Sequence, residues 1–94
     1  MQVFVEFLGV SRLVAGIKET EIDLPPGATW HDLVHFLSVT YPGMIGDVIR
    51  SDRQTLQAPN IFNLDGKKMI GQDQMQDSLQ DGDRVVLMSM SAGG

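Results

Sequence analysis

The chain has 94 residues, 43% hydrophobic and 20% charged, which suits one small globular domain and leaves no room for a second. Seven basic against twelve acidic residues give a net charge of −5. This charge disfavours binding to nucleic acid or to anionic membrane surfaces. It is compatible with a basic protein partner, or with a charge that serves only solubility. The absence of cysteine excludes disulfides and thiol chemistry. The lack of a bilayer-length apolar stretch or signal peptide makes a cytoplasmic location the expectation.

The first elements are predicted to be two strands in an antiparallel pair. Val3, Val5 and Phe7 alternate with other side chains, as in a strand with one well-buried face. Residues 9–16 are predicted to form a loop with one helical turn, closed by Gly16 as a C-cap. Residues 18–24 alternate charged with less polar side chains, which predicts a second strand with one exposed face.

A helix is the next predicted element. Thr29 followed by Asp32 resembles an N-cap, and Pro42-Gly43 ends the helix after Tyr41. Between them the apolar side chains form one helical stripe: Trp30, Leu33, Val34 and Leu37. The spacing of Met44, Ile45, Val48 and Ile49 predicts a further short helical segment, and the polar residues 50–57 predict a loop.

The last part of the chain is predicted to hold three strands. Asp65-Gly66 predicts a two-residue turn between strands at residues 61–64 and 67–70, and residues 71–80 are predicted to be irregular, anchored by Met75 and Leu79. Residues 84–88 are apolar at successive positions, which indicates a central strand covered on both faces or in contact with a partner. The order predicts an α+β domain, a mixed sheet of four to five strands packed on one main helix.

The printed sequence ends on Ser91-Ala92-Gly93-Gly94, directly after this apolar strand. A carboxylate carried on two residues without side chains could enter a narrow active site, because glycine lacks Cβ. Residues 89–94 could carry that carboxylate about 20 Å from the sheet at the extension of about 3.3–3.6 Å per residue. A frayed end without a role is the alternative.

The order of these motifs resembles the MoaD/ThiS-type ubiquitin-like sulfur carriers, and most of all the small subunit of molybdopterin synthase. The resemblance spans nearly the whole chain, through these motifs: Ser11-Arg12-Leu13, Ala15-Gly16, Pro26-Gly27-Ala28-Thr29, Tyr41-Pro42, Asn63-Leu64-Asp65-Gly66, Leu79-Gln80-Asp81-Gly82-Asp83 and the terminal Gly-Gly. It implies a β-grasp domain over residues 1–90 and a flexible tail over residues 91–94. Two departures stand out: Ser89-Met90 replaces a frequent Pro-Pro pair, and residues 51–60 are longer than in compact members.

The resemblance also implies a chemistry centred on Gly94, with Gly93 beside it. A ubiquitin-activating-like adenylyltransferase would use ATP and Mg²⁺ to adenylate the Gly94 carboxylate, and a persulfide from a sulfurtransferase would convert it to a thiocarboxylate. The sulfur would then pass to a pterin inside a molybdopterin synthase large subunit, so this chain needs no bound cofactor and no catalytic side chain of its own. Partner contacts are expected at Arg12, Met88, Met90, Ser91 and Ala92.

Several readings stay open at this point. The scaffold also serves carriers for cysteine, thiamine and tungsten cofactor synthesis, ubiquitin-like modifiers joined to lysines through Gly94, and passive interaction domains. Met88 suits a packed core position as well as partner contact, because methionine is common in both. His31 and His35, with Asp32 between them, echo a zinc-protease helix, but Asp32 is better explained by its place at the helix N-terminus.

Overall fold

In a computed structural model, which describes residues 1–90, five strands form one sheet and one main helix packs against it. The elements in chain order are β1 (Gln2–Phe7), α1 (Val10–Ala15), β2 (Glu19–Asp23), α2 (Trp30–Thr40), β3 (Asn60–Leu64), β4 (Lys68–Ile70) and β5 (Arg84–Ser89). The strand order is β2-β1-β5-β3-β4, with β1 and β5 parallel and the other neighbours antiparallel. The predicted α+β fold, a mixed sheet on one helix, is confirmed.

The start of α2 is fixed by a reciprocal cap, as the sequence predicts. The Thr29 hydroxyl accepts a hydrogen bond from the Asp32 backbone N–H at 3.2 Å, and an Asp32 carboxylate oxygen accepts from the Thr29 backbone N–H at 2.8 Å. These bonds satisfy donors that no helical carbonyl can reach. The first helical residue is therefore Trp30, which begins the predicted apolar stripe.

The stripe of α2 and the inner face of the sheet form the core. Phe7, Leu33, Leu37, Phe62 and Leu87 are fully buried, and the Trp30 ring lies 5.3 Å from the Phe62 ring between centroids. Side chains one position away along each strand point to the other face of the sheet. The core therefore lies on one face of the sheet, and within residues 1–90 no helix covers the other face.

The connection after α2 differs from the prediction. Instead of a second helix over residues 44–49, a single 3-10 turn at Pro42–Met44 is followed by irregular chain, in which Gly46 adopts φ 103°. That dihedral interrupts any helix, and short bridges pair Ile49 with Ile45 and with Leu56. The apolar residues still enter the core, since Met44, Val48 and Ile49 are fully buried. The spacing of these apolar residues therefore reflects their burial and not a helix.

The β3–β4 hairpin also departs from the prediction by one residue. Asp65 and Gly66 have positive φ angles as expected, but Leu64 pairs with Lys68, so the connection has three residues instead of two. A shift of one residue exchanges the two faces of a strand. Ile70 consequently points into the core at 4% exposure, and Met69 points to the outer face.

The Asp32 cap predicts an acid-sensitive contribution to stability. The hydrogen bond from the Thr29 backbone N–H is the main cause that lowers the pKa of the Asp32 carboxyl; burial opposes it, and the Thr29 hydroxyl and the nearby histidines add smaller lowering effects. A group with a lowered folded pKa stabilises the fold above its unfolded value, about 3.9 for aspartate, and loses that contribution as the pH falls through the folded value. Asp32→Ala should lower the free energy of unfolding by about 1 kcal/mol at pH 7.

Urea unfolding at pH 7 and pH 3 measures this effect, which should be smaller at the acidic pH. Asp77→Ala is the matched control, because its exposed carboxylate makes no side-chain hydrogen bond within the described part of the chain. An equal cost of Asp32→Ala at both pH values would contradict the role of its charge.

Candidate functional site

The last strand is held by neighbours on both sides as far as Leu87, and from the β3 side as far as Met90. β5 pairs with β1 over Phe4↔Arg84 to Phe7↔Leu87 and with β3 over Asn60↔Ser89 to Leu64↔Val85. Past the end of the strand, the Met90 N–H donates to the Pro59 carbonyl at 2.7 Å. The predicted central position of this strand is confirmed, and the fold fixes where the last residues of the sequence begin.

Four predicted site residues, Gly94, Gly93, Ser91 and Ala92, lie outside the described residues. Because Met90 is hydrogen bonded, the distance available to the tail is counted from Met90 rather than from Ser89. Four residues span at most about 14 Å at the extension of about 3.3–3.6 Å per residue. This replaces the longer reach of about 20 Å expected from the sequence.

Met88 lies on the outer face of the sheet and does not join the core. It is half-buried and pairs with Ile61, while Val86 pairs with Asn63, and Asn63 pairs with Met69. Cross-strand partners share a face, so these five side chains form one continuous patch, which we call the methionine surface: Ile61, Asn63, Met69, Val86 and Met88. Of the two interpretations of Met88 from the sequence, the core position is therefore wrong, and partner contact stays a prediction.

The methionine surface contains a buried amide with an unused acceptor. Asn63 is only 8% exposed, and its Nδ2 approaches the Met69 sulfur at 3.3 Å, a weak hydrogen bond. Its Oδ1 is buried and has no hydrogen-bond partner within residues 1–90. Met69 is 39% exposed, so a small movement of this flexible side chain would uncover the amide.

Met90 lies at the rim of an apolar groove next to the beginning of the tail. The groove has a volume of about 320 Å³ and lies where β3 begins and β4 ends, between Pro59, Ile61, Ile70 and Met75. Met90 itself is 49% exposed. The predicted contact role of Met90 is not tested by this geometry, but its side chain is available to a partner that approaches the tail.

The Ser11-Arg12-Leu13 motif fastens α1 to the end of the sheet. The fully buried Ser11 hydroxyl lies 3.1 Å from the Leu87 carbonyl in β5, and Arg12 Nε donates to the Phe7 carbonyl at 2.9 Å. These contacts give Ser11 and Arg12 a structural role, while the partner contact expected of Arg12 stays a prediction. Leu13, by contrast, is 83% exposed on the same helix.

The two histidines of α2 do not form a metal site in the described structure. His35 is exposed and His31 half-buried, both on the side of α2 away from the sheet. Within residues 1–90 no three side chains of histidine, aspartate or glutamate come close enough together to hold a metal ion. Asp32 instead serves the cap described above.

The sequence did not indicate three side chains of this region: the exposed Leu13 and Met69, and the buried Asn63. Leu13 carried a signal, since it is an apolar residue in a predicted loop. Met69 was hidden by the hairpin register, because a two-residue turn pairs it with Phe62 and places it in the core. Asn63 carried no signal of burial, because asparagine is mostly exposed.

The geometry as a whole defines a ubiquitin-like β-grasp protein in which the last strand lies at the centre of the sheet, beside an uncovered apolar surface. The sequence profile of the ThiS family matches residues 5–94, so the chain belongs to the ThiS family. It has the fold and sequence pattern of the MoaD/ThiS-type ubiquitin-like sulfur carriers. In the described part of the chain, no helix has the length and apolar character needed to cross a membrane.

Solved structures show the same fold. The chain is similar to SAMP1 from Haloferax volcanii, with TM-score 0.81, 19% identity and full coverage of both chains. It is similar to a putative molybdopterin converting factor subunit 1 from Pyrococcus furiosus, with TM-score 0.71 and 25% identity over 94% of this chain and 95% of that one. Urm1 from Trypanosoma brucei has TM-score 0.72 and 22% identity over 99% and 95%. No curated protein matches the sequence.

Replacing Asn63 should stabilise the fold. A buried polar atom without a partner costs about 1–3 kcal/mol, and an apolar side chain of similar volume removes that cost. We expect Asn63→Leu to raise the free energy of unfolding by about 1 kcal/mol, measured by urea denaturation. Asn60→Leu is the matched control and should lower it, because the Asn60 amide donates to the carbonyls of Asp47 and Gln57. A loss of stability in Asn63→Leu would show that its amide is satisfied in solution.

Proposed function

We propose that this protein is a sulfur carrier whose reactive group is the carboxylate of Gly94. The observation that carries the proposal is the ThiS family match, which extends through Gly93-Gly94 on a β-grasp fold. In this fold the central strand leads directly into the tail. The globular part then holds and presents the tail, and partner proteins supply the catalytic groups.

The proposed chemistry begins with activation, because a carboxylate is a poor electrophile. A carboxylate oxygen of Gly94 attacks the α-phosphorus of ATP within a ubiquitin-activating-like adenylyltransferase, with Mg²⁺ on the phosphates, and pyrophosphate leaves. The terminal sulfur of a sulfurtransferase persulfide then attacks the acyl carbon and AMP leaves. A second thiol reduces the resulting acyl disulfide, which frees the thiocarboxylate and forms a protein disulfide. No cysteine of this chain is required.

The methionine surface is the proposed contact for these partners. It lies on the same strand that leads into the tail, and it is apolar, partly exposed and not covered by any element of residues 1–90. Methionine side chains adapt to differently shaped surfaces, which suits a carrier that meets an activating enzyme and an acceptor enzyme in turn. The short reach of the tail beyond Met90 requires each partner to approach this end of the sheet closely.

Molybdopterin synthesis is the pathway we favour, with this chain as the small subunit beside a larger catalytic one. The support is the 25% identity to the putative molybdopterin converting factor subunit 1 over nearly the whole of both chains. Carriers for cysteine, thiamine or tungsten cofactor synthesis have the same scaffold and remain alternatives. A further alternative is a protein modifier that is conjugated through Gly94 to lysines of other proteins. The last alternative is a passive interaction domain.

Intact-mass spectrometry of the protein from its native cells tests the proposal directly. A carrier gains the mass difference between sulfur and oxygen on Gly94, and an alkylating reagent then adds the mass of one alkyl group to the sulfur of that thiocarboxylate. Isopeptide-linked Gly94 on lysines of other proteins would instead indicate a modifier. An unchanged C-terminus under all growth conditions would reject both roles.

Gly94→Val should abolish adenylation and leave the fold intact. A β-branched side chain next to the carboxylate obstructs a channel shaped for backbone alone, whereas the core described above is built from side chains between Val3 and Leu87. Pyrophosphate release with the cognate activating enzyme measures the first expectation, and thermal unfolding measures the second. Ser51→Val adds the same side chain at an exposed turn position and should leave the rate unchanged. Normal adenylation of Gly94→Val would reject the mechanism.

Met88→Lys should weaken binding to the activating enzyme by at least about tenfold, because it places a charge at the centre of the methionine surface. Met88 is half-exposed, so the lysine can extend into solvent and the free energy of unfolding should change little. Isothermal titration calorimetry gives the dissociation constants. Gln76→Lys, which changes the net charge equally at an exposed position outside the methionine surface, is the control. Equal affinities of both variants would exclude this surface as the contact.

A further inference from the structure

The free edge of β2 has an open row of backbone hydrogen-bonding groups. β2 is the outermost strand of the sheet, with β1 on one side and no strand on the other among the described residues. The Phe7 N–H donates to the Lys18 carbonyl at 2.8 Å, and the Leu24 N–H donates to the Met1 carbonyl at 2.9 Å. Hydrogen-bonded pairs recur at every second residue of an antiparallel ladder. The backbone groups of Glu19, Glu21 and Asp23 therefore point away from β1.

The outer side of this edge is strongly acidic. Glu19 stands opposite Glu6 in the β1–β2 register, and like charges in that position repel. Neither of them nor Glu21 has an ion-pair partner within 4.0 Å in residues 1–90, where the nearby cation, Arg84, stacks over the Phe4 ring at 4.7 Å. Asp23 is paired with the Met1 ammonium at 3.3 Å, so the carboxylates that an incoming positive charge could pair are those of Glu6, Glu19 and Glu21.

The inner side of the same edge is apolar and leads to a groove. Side chains on this side alternate with the acidic ones, and Ile22 and Leu24 are buried. Just beyond β2, a groove of about 410 Å³ opens between Leu24, Pro25 and the outer side of α2, where Phe36 is half-buried and Val39 is 64% exposed. Asp32 and His35 lie at its rim.

We propose that the β2 edge binds an extended segment of a partner protein in which lysine or arginine alternates with valine, isoleucine or leucine. Such a segment adds a sixth strand to the sheet. Its backbone pairs with Glu19, Glu21 and Asp23, its basic side chains lie over the acidic outer side, and its apolar side chains follow the inner side towards the groove. A second copy of this chain does not suit the edge, because its own β2 would bring acid against acid.

This surface is separate from the one assigned to sulfur transfer. β1 lies between β2 and β5, so a strand added at β2 leaves the methionine surface and the tail accessible. The carrier could therefore be held by one protein while it presents Gly94 to another. The inference does not depend on the identity of the sulfur acceptor, nor on whether Gly94 carries sulfur at all.

The test uses the full-length protein, labelled with ¹⁵N, and a nine-residue peptide of alternating lysine and valine with blocked ends. We expect the backbone amide signals of Glu19, Glu21 and Asp23 to shift on titration. We also expect hydrogen exchange at the Glu21 amide to slow by at least about tenfold. A peptide with glutamate in place of lysine should not bind. Shifts confined to the methionine surface, or no binding of the lysine peptide, would overturn the proposal.

Backbone pairing is tested without altering the protein, by N-methylation of either all the lysines or all the valines of the peptide. In a strand these two sets direct their N–H groups to opposite edges. One methylated peptide should lose binding and the other should keep it. Loss of binding in neither would show that the peptide is held by charge alone, against the proposal.

Two double variants separate the local charge from the net charge. Glu19→Gln with Glu21→Gln should weaken binding of the lysine peptide by about tenfold, since it removes the two carboxylates of β2 that have no ion-pair partner within residues 1–90. Asp73→Asn with Asp77→Asn makes the same change in net charge at exposed positions on a different part of the surface and should leave binding almost unchanged. Equal losses in both variants would assign the binding to overall charge and reject the β2 edge.

Discussion

The whole arrangement depends on the placement of β5 between β1 and β3. Hydrogen bonds on both sides hold this strand as far as Leu87, and pairing with β3 followed by the Met90–Pro59 contact holds it to the last described residue. The Leu87 carbonyl also lies within hydrogen-bond distance of two donors outside the ladder, the Leu8 N–H and the Ser11 hydroxyl. A central strand cannot move without breaking pairs on both sides, so the tail starts from a fixed point. Any partner that uses the tail must come to that point, which makes the adjoining surface part of the site.

The sequence predicted those parts of the fold that depend on interactions between residues close together in the chain. The Thr29–Asp32 cap and the 3.6-residue stripe of α2 involve residues within a few turns of one another, and both are confirmed. Gly16 ends α1 in the left-handed conformation, again because one residue determines the geometry. The alternation in β1 and β2 was sufficient to predict an antiparallel pair with one buried face.

The parts that the sequence could not predict are those decided by contacts between distant residues. Apolar spacing over residues 44–49 fits a helix as well as it fits irregular chain packed on the core, and only Gly46 at φ 103° distinguishes them. In the hairpin, one additional residue in the turn moved Met69 from the core to the outer face and exchanged it with Ile70. The methionine surface could therefore not be assembled from the sequence, since its members come from three strands whose register is set by tertiary packing.

Apolar and acidic side chains occupy different parts of the sheet. Because α2 covers the inner face, the outer face of the sheet is the larger surface left open among residues 1–90. Its apolar part lies on β3, β4 and β5 next to the tail, and its acidic part lies on β1 and β2. A fully apolar outer face would drive self-association through the exposed edges, whereas carboxylates along β2 repel a second copy. The acidic part thus disfavours pairing with a second copy, and in our proposal the same carboxylates attract a partner segment with positive charge.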